Sequence, residues 1–230
     1  KGITDYIHGL GLKAGFYIYP PELNHQDNPE YLVKDAQFIA SAGCDYLKYD
    51  GWMATPQSAF EGMRDALAAT GRPIVYSVNG ASGSAVCNMA RCSPDIGAWW
   101  ESTIGCIGCA AGGFGKPGYW PDPDFMESGN LASVDEDMSA FSLWCVSSSP
   151  LISGNDPRVM DNWTHYVLLN TEAIEVNQDT AFSVNPSYGG SGKLLRNNSG
   201  FQLWCKTVTG GAKAVVLVNT GSGRATGSFT

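Results

Sequence analysis

Four carboxylates and two cations stand where short strands are predicted to end. Asp50 closes Tyr46-Leu47-Lys48-Tyr49-Asp50, a run of strand-favouring residues that Gly51 terminates. Lys48 precedes Asp50 by two residues, so both side chains point to the same side of the strand. A carboxylate beside an ammonium there is either a salt bridge at a strand tip or a nucleophile next to a cation that holds substrate hydroxyls. Arg91 and Asp95 lie four residues apart, and Asp122 and Asp124 belong to Trp120-Pro121-Asp122-Pro123-Asp124. Tyr17, Trp52, Trp99, Trp100 and Trp120 flank these ends in sequence. Aromatic faces stack on the C–H faces of pyranose rings while charged groups hold hydroxyls, so this is the composition of a sugar site. Two carboxylates flanking one bond suit glycoside hydrolysis. An Asp at a strand end is about as often a helix cap or a surface charge.

The elements that would position these residues follow in order. Leu12 to Tyr19 reads as a buried strand stopped by Pro20-Pro21. Asn28 caps a helix with Pro29 in its first turn, Leu32, Ala36 and Ile39 as its apolar stripe and Gly43 at its end. After the Asp50 strand, Thr55-Pro56 opens a second helix with Phe60, Met63 and Leu67 inward, and Pro73 to Val78 is the next strand. Met89 to Ile96, Gly118 to Phe125 and the short buried run Pro150 to Ser153 are further strands. A capping box at Ser133-Val134-Asp135-Glu136 starts a helix carrying Met138, Phe141 and Trp144, and another helix runs from about Asp161 to Asn170. Strands alternating with helices imply parallel pairing, and six strands are two short of a closed (β/α)8 barrel. From about Ala181, Lys193 to Leu195, Phe201 to Thr207 and Ala214 to Asn219 form strands with no helix between them. The expected division is therefore a barrel portion over residues 1–180 and the start of an antiparallel β-sandwich domain over 181–230.

The 230 residues carry a net charge of −8, which argues against nucleic acid or an anionic membrane as partner. No run of 18 apolar residues exists to span a bilayer. A start at Lys1 reads as that of a processed form or a fragment. The 7 cysteines fit neither a complete disulfide framework nor a thiol-poor cytosolic enzyme. With the sequons Asn162-Trp163-Thr164 and Asn197-Asn198-Ser199, they favour an extracellular or secretory/lysosomal location. Cys87, Cys92, Cys106 and Cys109 offer a four-thiolate zinc site as the lesser alternative to a local disulfide or free thiols. His8, His25 and His165 are scattered and suggest neither a metal site nor a Ser-His pair.

Several segments together resemble the α-galactosidase (melibiase) family, glycoside hydrolase family twenty-seven. They are Gly9 to Tyr17, Gly43 to Asp50, Arg91 to Ile96, Trp120 to Asp124, Phe141 to Trp144 and Val176 to Asp179, in the family's order along nearly the whole chain. The resemblance implies a (β/α)8 barrel lacking its first two strands and a retaining exo-α-galactosidase that needs no cofactor or metal. It implies Asp50 as nucleophile and Asp95 as acid/base, facing each other about 5–5.5 Å apart. It assigns Tyr17, Lys48, Asn79, Arg91, Trp120 and Asp124 to the sugar, with Lys48 and Arg91 favouring the ionised form of Asp50. Asn79 falls where the family often has a glutamate or a small residue, at the wall near the sugar's 2-position. The missing strands would carry an acidic pair for the 4- and 6-hydroxyls. Two family disulfides lack a partner: Trp52-Met53 replace a cysteine after the nucleophile, and Val78 stands opposite Cys87. Alternatives are a relative acting on α-N-acetylgalactosaminides, β-L-arabinopyranosides or isomalto-oligosaccharides, or a carbohydrate-binding barrel without catalysis. The last conflicts with the presence of both Asp50 and Asp95.

Overall fold

The computed structural model describes residues 2–19, 28–51, 55–81, 83–181, 190–198, 200–224 and 226. The chain forms two compact units, Lys1–Arg91 and Cys92–Thr230. The first runs α1 (Gly2–Gly9), β1 (Gly15–Ile18), α2 (Pro29–Ala42), β2 (Tyr46–Asp50), α3 (Gln57–Ala69), β3 (Val75–Asn79) and β4 (Met89–Arg91). Each strand pairs in parallel with the next. The helices form where the caps and stripes predict. Asn28 Oδ1 accepts from Glu30 N, α2 buries Leu32, Ala36 and Ile39, and Gly43 ends it at φ 87°. Helix α3 buries Phe60, Met63 and Leu67. It begins one residue past the expected Thr55-Pro56 start, with no side-chain cap. Leu47, Tyr49 and Val78 are fully buried, and Tyr49 meets Phe60 and Tyr76 edge-on.

The base of β2 is tied by charge. The Asp45 carboxylate accepts from Ala14 N at 2.9 Å, from Arg72 Nη2 at 2.7 Å, and pairs with His8 Nε2 at 2.7 Å. The same guanidinium donates to the carbonyls of Gly43 and Cys44. The Ala14 amide first, then His8, holds the Asp45 carboxyl down to about 2.

Three sequence expectations change here. The segment expected as a buried strand from Leu12 to Tyr19 shortens to β1, and Leu12, Phe16 and Tyr17 are exposed. Among the described residues β1 has β2 as its one strand neighbour. Helix α1 was not foreseen, and none of its residues is buried. Met89 to Ile96 is strand only as far as Arg91.

The second unit holds α4 (Trp100–Ile107), β5 (Trp120–Asp122), α5 (Val134–Ser147), α6 (Asn162–Leu168), α7 (Thr171–Gln178) and three strands, β6 (Lys193–Asn198), β7 (Phe201–Thr207) and β8 (Lys213–Asn219). Ser133 Oγ accepts from Glu136 N to open α5, while the Glu136 carboxylate reaches Ala132 N. Phe141 and Trp144 are buried, whereas Met138 is 43% exposed. Pro150 to Ser153 makes a single parallel bridge, Met126 to Ser153, instead of a strand. Pro150 has no N–H for a ladder, and Ile152 N turns back to the Pro150 carbonyl. Strands β6, β7 and β8 pair antiparallel, and Trp204 and Val218 join Phe141, Trp144 and Val146 in one core. Lys206 on β7 is buried and donates to the carbonyls of Val176 and Asn177, at the end of α7. Burial lowers its ammonium to about 8. Parallel β-α repeats followed by an antiparallel sheet are the expected class: part of a (β/α)8 barrel, then a β domain. No helix among the described residues is long and apolar enough to cross a membrane.

Candidate active site

In the first unit the site is built at the C-terminal end of β2. Asp50 is the register partner of Asn79 on β3, and Lys48 that of Tyr17 on β1 and Ser77 on β3. Register partners in a parallel pair share a face, and alternate residues do too. Tyr17, Lys48, Ser77, Asp50 and Asn79 therefore belong to one face. Asn79 Nδ2 donates to Asp50 Oδ1 at 2.9 Å, and Tyr17 Oη donates to Asp50 Oδ2 at 2.6 Å. Both carboxylate oxygens are thus held, each by a neutral donor. Asp50 is only partly buried and Tyr17 is exposed, so the carboxylate lies within reach of a ligand. Arg91 closes β4; it follows Ala90, the partner of Val78, and so comes level with Asn79.

The glycines after the two strand ends are required. A Cβ on Gly51 would lie 2.3 Å from the Phe60 ring and 3.0 Å from the Asn79 carbonyl. Gly80, at φ 110°, approaches the same ring. Gly51 N also donates to the Asn79 carbonyl at 2.9 Å. The two strand ends therefore close over Phe60, which fixes where Asp50 and Asn79 project.

In the second unit the loop carrying Asp95 is held from several sides. Cys92 N donates to the Asp122 carbonyl at 3.0 Å, Ser93 Oγ to the Pro123 carbonyl at 2.8 Å, and Ile96 N to Asp124 Oδ2 at 3.0 Å. Asp124 is buried, sits at φ 95°, and gives its other oxygen to Phe125 N. Its amide donates to Asp122 Oδ1, and its carbonyl accepts from Trp144 Nε1. The Asp-Pro-Asp turn is thus a brace for the residue next to Asp95. Trp120 opens β5, two residues before Asp122. A disulfide joins Cys92 to Cys109. It takes two of the four thiols that the zinc alternative needs. Cys87, expected to find another partner, is a free buried thiol, and burial pushes it up to about 11. Among the described residues no group of three His, Cys, Asp or Glu could hold a metal.

The structure therefore joins Tyr17 and Asn79, expected on the sugar, directly to Asp50, and joins Asp124 to the Asp95 loop. The Asn79 contact was missed, although Asp50 and Asn79 each end a run of five strand residues and so come level. Trp52 lies outside the described residues.

A family model described as alpha galactosidase A matches residues 1–179. An α-galactosidase of Cyamopsis tetragonoloba is 32% identical over 249 residues, covering 98% of this chain and 57% of its own length. Alpha-galactosidase 2 of Arabidopsis thaliana is 34% identical over 256 residues, covering 98% of this chain and 59% of its own. The crystal structure of α-galactosidase I from Mortierella vinacea superposes with a TM-score of 0.79 at 26% identity, covering 95% of this chain and 64% of that one. The chain thus spans little more than half the length of the two curated relatives.

Proposed function

The chain belongs to the alpha galactosidase A family, and on that premise we propose that the full-length protein is a retaining exo-glycosidase removing terminal α-D-galactosyl residues from oligosaccharides or glycoconjugates. The observation that carries this reading is the Asp50 carboxylate, accessible at a strand end and oriented through both oxygens. In the first step an Asp50 oxygen bonds to the anomeric carbon as the glycosidic C–O bond breaks, and Asp95 gives its proton to the departing oxygen. In the second, water attacks the anomeric carbon, Asp95 takes the water's proton, and the ester C–O bond breaks to restore Asp50. Two inversions leave the configuration unchanged.

Lys48, Arg91 and Trp120 hold the sugar, the first two by its hydroxyls and the third by its C–H face. Asp124 accepts from two backbone amides, and the resemblance adds a sugar hydroxyl to its partners. Asn79 carries no charge and suits a 2-hydroxyl, which favours galactosides over N-acetylgalactosaminides. The disulfide fits the oxidising, extracytoplasmic setting that we propose for the protein.

The experiment is hydrolysis of nitrophenyl α-galactoside by the full-length protein, followed by proton NMR of the first-formed sugar. The α-anomer is expected; first appearance of the β-anomer would overturn the retaining mechanism. In the same assay Asp95→Ala is expected to lose far more activity on alkyl than on aryl galactosides, because a good leaving group needs no proton donor. Equal loss on both would reduce Asp95 to a binding residue.

A further inference from the structure

Asn79 meets Asp50 in a way that a wall residue for the sugar need not. A carboxylate only accepts hydrogen bonds, so the amide atom 2.9 Å from Asp50 Oδ1 is the Nδ2 donor. The contact is fixed by backbone as well as side chain. Asp50 and Asn79 are register partners, Gly51 N binds the Asn79 carbonyl, and Phe60 fills the space beneath both following glycines. Tyr17 reaches the other oxygen from the opposite neighbour of β2, at 2.6 Å. The carboxylate plane is therefore set from both flanking strands. The titratable or charged groups on β1 to β4 that share its face are Tyr17, Tyr46 and Lys48, with Arg91 at the end of β4, while Tyr49 and Tyr76 lie on the other face; Asn79 contributes a donor without a charge.

Resting on the reading of Asp50 as nucleophile, we propose that Asn79 and Tyr17 are positioning residues for it: one neutral donor to each oxygen, setting the plane of attack and stabilising the carboxylate as it leaves. The donors matter most in the second step. There the Asp50–sugar ester breaks and negative charge returns to the two oxygens they face. A carboxylate at position 79, where the family often has glutamate, would instead place a second negative charge within hydrogen-bond distance of the nucleophile. Asparagine at 79 thus converts a residue of the 2-position wall into part of the nucleophile's support.

The test uses the full-length protein and pH profiles of kcat/KM on nitrophenyl α-galactoside for wild type, Asn79→Asp, Asn79→Leu and Tyr17→Phe. In Asn79→Asp two carboxylates must share one site, so the acid limb should move to higher pH by about one unit or more. Asn79→Leu keeps the size without charge; its acid limb should move the same way but less, and kcat, which unlike kcat/KM includes the second step, should fall about tenfold or more at the optimum. Tyr17→Phe should resemble Asn79→Leu. Titration of the Asp50 carboxyl carbon by carbon-13 NMR reads the same shift in each variant without turnover. Acid limbs unmoved in all three variants, with losses uniform across pH, would overturn the proposal and leave Asn79 as a sugar contact alone. A wild type inactive on every α-glycoside tried would instead remove the reading on which the proposal rests, and the proposal with it.

Discussion

Asp45 lies just before the start of β2 and Asp50 at its end, and the two carboxylates are held in opposite ways. At the base, Asp45 is 14% exposed and faces Arg72, His8 and a backbone amide, with Lys13 at 4.0 Å. Arg72, His8 and an amide occupy its lone pairs, and its carboxyl is pulled down to about 2. At the top, among the described residues Asp50 receives one hydrogen bond per oxygen, both from neutral groups, on an accessible edge. A carboxylate surrounded by charge anchors the chain and is spent as a reagent. One steadied by neutral donors stays available to form a bond. In a parallel barrel that division follows the strand direction, with stability at the N-terminal face and chemistry at the C-terminal face.

The sharpest way to break this comparison is to neutralise each carboxylate in turn. Asp50→Asn should cost at least about a thousandfold in turnover while the denaturation midpoint stays near wild type. A comparable loss of stability would show that the upper carboxylate is an anchor too. The Cys92→Ser, Cys109→Ser double variant asks whether the other carboxylate proposed to react, Asp95, relies on scaffolding elsewhere. The bridge closes a separation of 17 residues, so chemical denaturation should show a loss of about 3 kcal/mol. Asp45→Asn should cost about 2 kcal/mol with turnover retained. Its pH dependence fixes the sign. The folded carboxyl sits at about 2, below the roughly 3.9 of an unfolded chain. The stability it contributes is therefore present above about pH 4 and lost as pH falls towards about 2. The stability gap between wild type and Asp45→Asn should close across that window, and a gap constant with pH would argue that packing, not charge, ties the base.

How much of this was legible depends on how far apart the partners lie in the chain. Helix α2 was readable from Asn28, Pro29 and Gly43 because capping is a local matter, and its stripe needed only the helical period. Asp50 at a strand end was readable from Tyr46 to Gly51 alone. The anchor at Asp45 was not, since Arg72 and His8 lie 27 and 37 residues away and nothing local distinguishes them from surface charges. His8 read as a scattered histidine for that reason. The Pro150 to Ser153 run had the apolar content of a strand, but Pro150 and the local turn at Ile152 left one bridge. Of the three large apolar residues read on α5, Phe141 and Trp144 are buried and Met138 is turned out by the packing. The bond from Asn79 to Asp50 depends on strand register, which composition does not encode.

Lys206 has a consequence for how the second unit comes apart. Its ammonium is buried against the last carbonyls of α7, and Trp204 on the same strand lies in the core with Trp144 of α5. Peeling β7 away would strand those carbonyls and open the apolar interior of two helices at once. The antiparallel sheet and the helices preceding it therefore belong to one foldon, whose slowest-exchanging amides on α5 and β7 share a single opening event.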